Sequence, residues 1–222
     1  KIKWNNSLTK LKNFKYHNNI FDSEEMYDLL ISFYEYGFVI IKEVPNTEDF
    51  IIKFANSIGS VRKTNFGECF NVKSKPNPND LAYTSLALSP HTDNPYRNPV
   101  PCIQLLHCIE SNVSGGLSTL VDGYTVTEDL KKERPEFYEI LTNVNVKFKF
   151  IDKDVVLENW SPLIELNADK SFKQVRFSPR LDYVPIIDKN KLDFYYKARK
   201  KLSEMYNSEK YRIEFKLNNQ DL

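Results

Sequence analysis

Residues 86–108 read L-A-L-S-P-H-T-D-N-P-Y-R-N-P-V-P-C-I-Q-L-L-H-C. At their centre stand His91, Thr92 and Asp93. In extended backbone, side chains alternate faces, so an imidazole and a carboxylate two residues apart point the same way. Such a pair suits two adjacent positions around one metal. With one further His it makes the facial triad that holds Fe(II) and leaves positions open for small ligands. Pro95, Pro99 and Pro101 exclude a helix after His91 and keep the chain extended or turning. Residues 103–108 then read as an apolar strand.

Working outward, residues 22–36 carry a helix. Asp22 or Ser23 can cap it, Glu24 and Glu25 sit at its positive end, and Met26, Leu29, Leu30 and Phe33 form its apolar stripe. Gly37 can end it. Residues 38–44 read as a buried strand closed by Pro45, and Phe50, Phe54 and Ile58 mark one face of a second helix ending at Gly59. The polar lead-in of residues 1–19 reads as extended, with His17 at the surface. Residues 61–72 read as a strand or two, and 74–80 (S-K-P-N-P-N-D) as a loop. Past the central stretch, Gly115-Gly116 reads as a turn and 117–121 as a strand running up to Asp122-Gly123. Residues 128–134 and 135–142 read as short surface helices, with Pro135 at a first helical position. Residues 144–151 alternate as V-N-V-K-F-K-F, a half-buried strand. Residues 163–166 and 172–177 flank N-A-D-K as a hairpin. A long amphipathic helix over 188–205 and a strand over 211–217 follow.

The helix, strand, helix opening is not repeated at regular intervals, so a doubly wound sheet is not supported. Many short strands with Pro and Gly turns predict a mainly β chain: a double-sheet jelly roll with helices packed outside. The 222 residues and 41% hydrophobic content set one soluble domain with a sizeable core as the expectation. A net charge of +1 gives no electrostatic footprint for nucleic acid. No apolar run is long enough for a bilayer and no signal peptide is visible. Cys69, Cys102 and Cys108 are widely spaced and unpatterned, as thiols of a reducing compartment such as the cytoplasm are.

Five short motifs occur in order: L-A-Y-T at 81–84, H-T-D-N-P-Y-R at 91–97, Q-L-L-H-C at 104–108, G-G-L-S at 115–118 and V-D-G-Y at 121–124. Together they resemble the gamma-butyrobetaine hydroxylase group of Fe(II)/2-oxoglutarate dioxygenases, in the taurine dioxygenase superfamily, from about Trp4 onward. The resemblance implies a double-stranded β-helix, the jelly roll already named. It implies O2-dependent hydroxylation of an unactivated C–H with Fe(II) and 2-oxoglutarate, and it carries homodimers among its members. His91 and Asp93 match the first two iron ligands. Leu106 and Ser118 match positions lining the 2-oxoglutarate site. His107 is not the distal ligand of the family, and a structural histidine hydrogen-bonded inside the barrel is the expectation for it. The family's third ligand and its 2-oxoglutarate Arg lie in a later D-N-x-R-x-x-H-x-R stretch, absent up to Leu222. On this resemblance residues 1–222 form a single dioxygenase domain, C-terminally incomplete.

The same resemblance addresses the substrate. Tyr83 matches a tyrosine of the aromatic cage, and Phe66 and Phe70 fall where the other cage rings lie. Ring faces attract a quaternary ammonium by about 0.5–2 kcal/mol each. Asp80 and Ser178 stand where relatives use asparagines for the substrate carboxylate, and an ionised Asp80 favours an ammonium instead. Arg176 and Arg180 offer guanidinium forks for a carboxylate or phosphonate. The expected small-molecule substrate is therefore an amino or trimethylammonium compound like gamma-butyrobetaine. Trimethyllysine and aminophosphonates are the alternatives. Two other readings stand beside this: a catalytically dead binding module that keeps the cage, and a cupin-type site using His91, Asp93 and His107.

Overall fold

The computed structural model describes residues 1–73, 88–111 and 115–222. In chain order these form β1 (Asn13–Lys15), a 3-10 turn (Ile20–Asp22), α1 (Glu24–Tyr36), β2 (Ile40–Lys42), α2 (Phe50–Ile58), β3 (Leu117–Val121), α3 (Gly123–Glu133), α4 (Pro135–Asn143), β4 (Val146–Asp152), β5 (Val155–Ser161), β6 (Ile164–Leu166), β7 (Phe172–Val175), α5 (Lys189–Asn207) and β8 (Arg212–Lys216). The strands pair as β1–β2, parallel, and as β3–β8, β4–β5 and β6–β7, antiparallel. Among the described residues helices outweigh strands, and the strands form four two-stranded ladders. This corrects the mainly β expectation to a mixed helix and strand chain. The alternation that suggested many strands is real, but long helical faces cover the ladders.

Local chemistry explains the ends of the elements. Gly37 caps α1 in the left-handed conformation at φ +83°, as its position after Tyr36 requires. Ser23 stands at the N-cap, yet its hydroxyl donates to the Ile20 carbonyl at 2.6 Å instead of capping. Asp122 does cap α3: it accepts from the Tyr124 N–H at 3.1 Å and the Thr125 hydroxyl at 2.7 Å. The V-D-G-Y motif is thus a strand-to-helix junction.

Two cores result. The larger joins Val126 and Leu130 of α3, Phe137 and Leu141 of α4, Val146 and Phe148 of β4, and Tyr195, Ala198 and Leu202 of α5. Full burial of each large apolar side chain contributes about 1.5–3 kcal/mol. The helices expected to lie on the surface therefore bury one face each. The smaller core gathers Ile20, Met26, Leu29, Ile41, Val44, Phe50, Phe54 and Leu222. Leu222 exchanges backbone hydrogen bonds with Ile41, both 2.8 Å, while Gln220 accepts from Val44 and donates to Cys108. The segment after β8 is thus seated between β2 and residue 108.

Several local expectations change. β5 pairs with all of β4 although V-V-L-E-N-W-S was not read as a strand. Residues 181–183 line the other edge of β4, through Lys149 N–H to Leu181 O at 3.0 Å and Tyr183 N–H to Lys147 O at 2.8 Å. Residues 103–107 are not a strand: only Cys108 pairs, with Asp221, and Ile103 is 53% exposed. An apolar run becomes a strand only where an edge accepts its N–H and C=O groups. The strand expected over 38–44 shortens to Ile40–Lys42, and residues 61–72 hold only the Thr64–Gly67 bridge. Among the described residues no helix is long and apolar enough to cross a membrane.

At the start of α3, a Cβ on Gly123 would lie 2.9 Å from Cγ2 of Val175 on β7. Gly123→Ala is expected to cost roughly 1–3 kcal/mol by overpacking. Val175→Ala added to it should recover part of that loss in urea unfolding. Full stability of the single variant would refute this close approach.

Candidate metal and substrate site

Alternation around Thr92 builds the site. The Thr92 N–H donates to the Phe177 carbonyl at 2.7 Å, and the Phe177 N–H donates to Thr92 Oγ1 at 2.9 Å. Phe177 follows β7 by two residues and packs its ring 4.7 Å from that of Tyr206 on α5. Thr92 is thus fastened to the larger core, and its neighbours His91 and Asp93 share the other face. His91 Nε2 lies 3.4 Å from Asp93 Oδ1.

The ring orientation is fixed. His91 Nδ1 lies 2.8 Å from the Ser89 carbonyl, which only accepts, so Nδ1 carries the proton and Nε2 faces Asp93. The hydrogen bond to Asp93 raises the His91 pKa, against a lowering by burial and by the charge of Arg180. The hydrogen bond to His91 likewise lowers that of Asp93, against burial, and contacts with Gln104 and the Arg180 charge lower it further. The side chains of His91 and Asp93 are 22% and 47% exposed, so the pair opens toward solvent.

The following turn is held as firmly. Asn94 takes φ +52°, a conformation Asn tolerates. Its Oδ1 accepts from Tyr96 OH at 2.8 Å and from Arg97 Nε at 3.2 Å. Arg97 also donates to Asn65, and Arg62 to the Pro99 carbonyl at 2.7 Å. These bonds draw residues 62–66 against the turn. A row of rings results: Phe70 to Phe66 at 5.7 Å, Phe66 to Phe150 at 5.5 Å, and Phe150 stacked on Tyr96 at 5.1 Å.

The structure therefore brings His91, Asp93 and Arg180 together and sets Phe66 beside Phe70. Ser178 is buried, and its hydroxyl has no hydrogen-bond partner among the described residues. Leu106 is 49% exposed in the irregular stretch, and Ser118 sits in β3 opposite Phe215. Tyr83 and Asp80 lie outside the described residues. Three expectations are corrected. Arg176 is no anion clamp: its guanidinium is buried and donates to the Pro95 and Arg97 carbonyls and to Glu165. His107 is half-buried without the expected hydrogen bond: both ring nitrogens are shielded from solvent with no partner among the described residues, and the ring meets Phe50 edge-on at 5.9 Å. It does not join a cupin-type site either, because among the described residues no three His, Cys, Asp or Glu side chains are grouped to hold a metal.

Gln104, Phe150 and Tyr96 were missed as site residues. Gln104 is a polar residue inside an apolar run, and that break in the run is the signal that could have marked it as a partner of Asp93. Phe150 is the last inward ring of the V-K-F-K-F alternation. Tyr96 is marked in the sequence only by its place in H-T-D-N-P-Y-R.

The donor set fits two of the three protein positions of a facial Fe(II) site: an imidazole Nε2 and a carboxylate oxygen. The Nδ1–H bond to a carbonyl is the usual support of a ligating histidine.

Comparison with known proteins agrees with this chemistry. A family model described as taurine catabolism dioxygenase TauD, TfdA family, matches residues 6–222. The gamma-butyrobetaine dioxygenase of Pseudomonas sp. (strain AK-1) is 30% identical over 184 residues, 83% of this chain and 48% of that protein. The Homo sapiens gamma-butyrobetaine dioxygenase is 30% identical over 203 residues, 90% of this chain and 52% of that protein. The mitochondrial trimethyllysine dioxygenase of Homo sapiens is 35% identical over 131 residues, 59% of this chain and 31% of that protein. The chain spans about half the length of the gamma-butyrobetaine dioxygenases it matches. With a family model covering nearly all of it, this chain belongs to the TauD/TfdA dioxygenase family.

Proposed function

We propose that the chain is the core of an Fe(II)- and 2-oxoglutarate-dependent dioxygenase that hydroxylates a C–H bond of a small trimethylammonium compound like gamma-butyrobetaine. The observation that carries this reading is the His91–Asp93 pair, two donors 3.4 Å apart with the ring orientation fixed. His91 and Asp93 would hold the metal, and Fe(II) there would supply O2 activation coupled to 2-oxoglutarate decarboxylation. The complete architecture is proposed to be a double-stranded β-helix. A cytoplasmic location suits its free cysteines.

The chain's own residues have three tasks. Thr92 keeps the two donors on one face. Phe66 and Phe70 offer ring surface for a trimethylammonium, which ring quadrupoles attract. Arg180 supplies positive charge at the pair, suited to a carboxylate of substrate or co-substrate. The trimethyllysine relatives motivate trimethyllysine as the second substrate reading.

Succinate release from 2-oxoglutarate by the full-length protein tests this. Gamma-butyrobetaine or trimethyllysine should stimulate it, and His91→Ala should reduce it to background. Phe66→Ala should raise KM roughly 2- to 30-fold for the trimethylammonium substrate, the equivalent of one lost ring contact. Turnover only with an aminophosphonate would overturn the substrate class, and full activity of His91→Ala would overturn the mechanism.

The pair also dictates a pH signature without metal. The raised pKa of His91 makes its stabilisation present below the unfolded value of about 6.5 and lost as pH rises through the folded value. The lowered pKa of Asp93 makes its stabilisation present above about 3.9 and lost as pH falls through the folded value. In chelator-treated protein, the stability difference between wild type and Asp93→Asn should be bell-shaped, with its maximum between about pH 4 and 6.5. A difference independent of pH would contradict the pairing.

A further inference from the structure

Arg176 lies just beyond β7 and is only 2% exposed. A guanidinium so deeply buried must have its donors met. Nη1 donates to the Pro95 carbonyl at 2.8 Å and to the Arg97 carbonyl at 2.8 Å. Nε donates to Glu165 Oε2 on β6 at 3.2 Å. Glu165 accepts in turn from Lys173 and Gln174 on β7. Burial by itself would raise the Glu165 pKa, but these donors outweigh it and hold the carboxylate ionised below its usual range.

Both carbonyls belong to the turn that immediately follows Asp93. On the other side of Asp93, Thr92 is bonded to Phe177, the neighbour of Arg176. Two consecutive residues after one strand therefore grip the chain on both sides of a single carboxylate. The grip needs a planar fork. Arg presents five N–H donors in fixed directions, whereas a lysine ammonium is a point charge on a flexible stem.

We infer that Arg176, backed by Glu165, is a positioning residue that sets Asp93 against His91. The inference rests on the reading of that pair as metal donors, and it assigns Arg176 no contact with substrate. A purely structural role would lower stability everywhere alike. A positioning role loosens residues 92–97 selectively and weakens metal binding while the rest of the fold stays intact.

Full-length wild type, Arg176→Lys and the milder Glu165→Gln are to be compared by amide hydrogen exchange without metal, and by Co(II) titration followed through its visible absorption. In Arg176→Lys the amides of Thr92 and Arg97, which donate to Phe177 and Asn94, should exchange faster, while those of β4 and β5 keep wild-type rates. Co(II) affinity should fall about 10- to 100-fold, the usual effect of removing a support behind a metal ligand. Glu165→Gln should show the same pattern at smaller amplitude and, because it keeps the buried guanidinium, should fold even if Arg176→Lys does not. Uniformly faster exchange, or unchanged Co(II) affinity in a folded variant with a loosened turn, would overturn the inference. Equal Co(II) affinity in wild type and His91→Ala would instead remove the metal reading, and the exchange data would still decide whether Arg176 holds the turn.

Discussion

The pairing of Thr92 with Phe177 is the constraint on which the site depends. A two-residue spacing places two side chains on one face only where the residue between them is fixed to the fold. Here that residue exchanges hydrogen bonds with a backbone position whose own ring is packed on α5. The donor pair therefore inherits the rigidity of the larger core although both side chains lie partly in solvent. Moving either residue by one position would turn it to the opposite face.

The surrounding elements serve that constraint at several distances. β4 contributes buried Val146 and Phe148 to the core and, two residues on, Phe150 to the ring row. Its two edges are taken by β5 and by residues 181–183. Asp182 is further bound to Arg199 of α5 by paired hydrogen bonds of 2.6 and 2.8 Å, a fork that fixes direction as well as distance. This fastens the stretch that carries Ser178 and Arg180 to the same helix that supports Phe177. Both sides of the site are thus referred to α5.

Much of this was legible in the residues. The spacing of His91 and Asp93, Met26 and Leu29 of the α1 stripe with Gly37 behind it, the alternation of β4 and the hairpin around N-A-D-K each follow from local periodicity or turn chemistry, and each stands in the structure, whereas Leu30 of that stripe is exposed. Failures came where a partner decides the outcome. Residues 103–107 have strand propensity but almost no edge to bond. Arg176 and Arg180 look alike in V-R-F-S-P-R, and only burial separates the one that holds a turn from the one that faces the donor pair. His107 looked like a hydrogen-bonding residue because of its type, yet its surroundings are the ring of Phe50 and burial that lowers its pKa. Sequence periodicity reports faces, not which distant chain will meet them.

The seat of residues 220–222 between β2 and Cys108 has a consequence for how the molecule assembles. Leu222 belongs to the core formed by the first two helices, and Asp221 is buried against Lys42 at 2.6 Å. The opening segment of the chain therefore closes with nearly its last described residues. Apart from Leu222, the buried members of that core lie within residues 20–54, so α1, α2 and β2 can pack together early in synthesis, and only the closing contact waits for the segment after β8. Contacts so distant in sequence slow folding because the loop between them must be closed first. The His91–Asp93 pair, held from α5 through Phe177, is likewise assembled late.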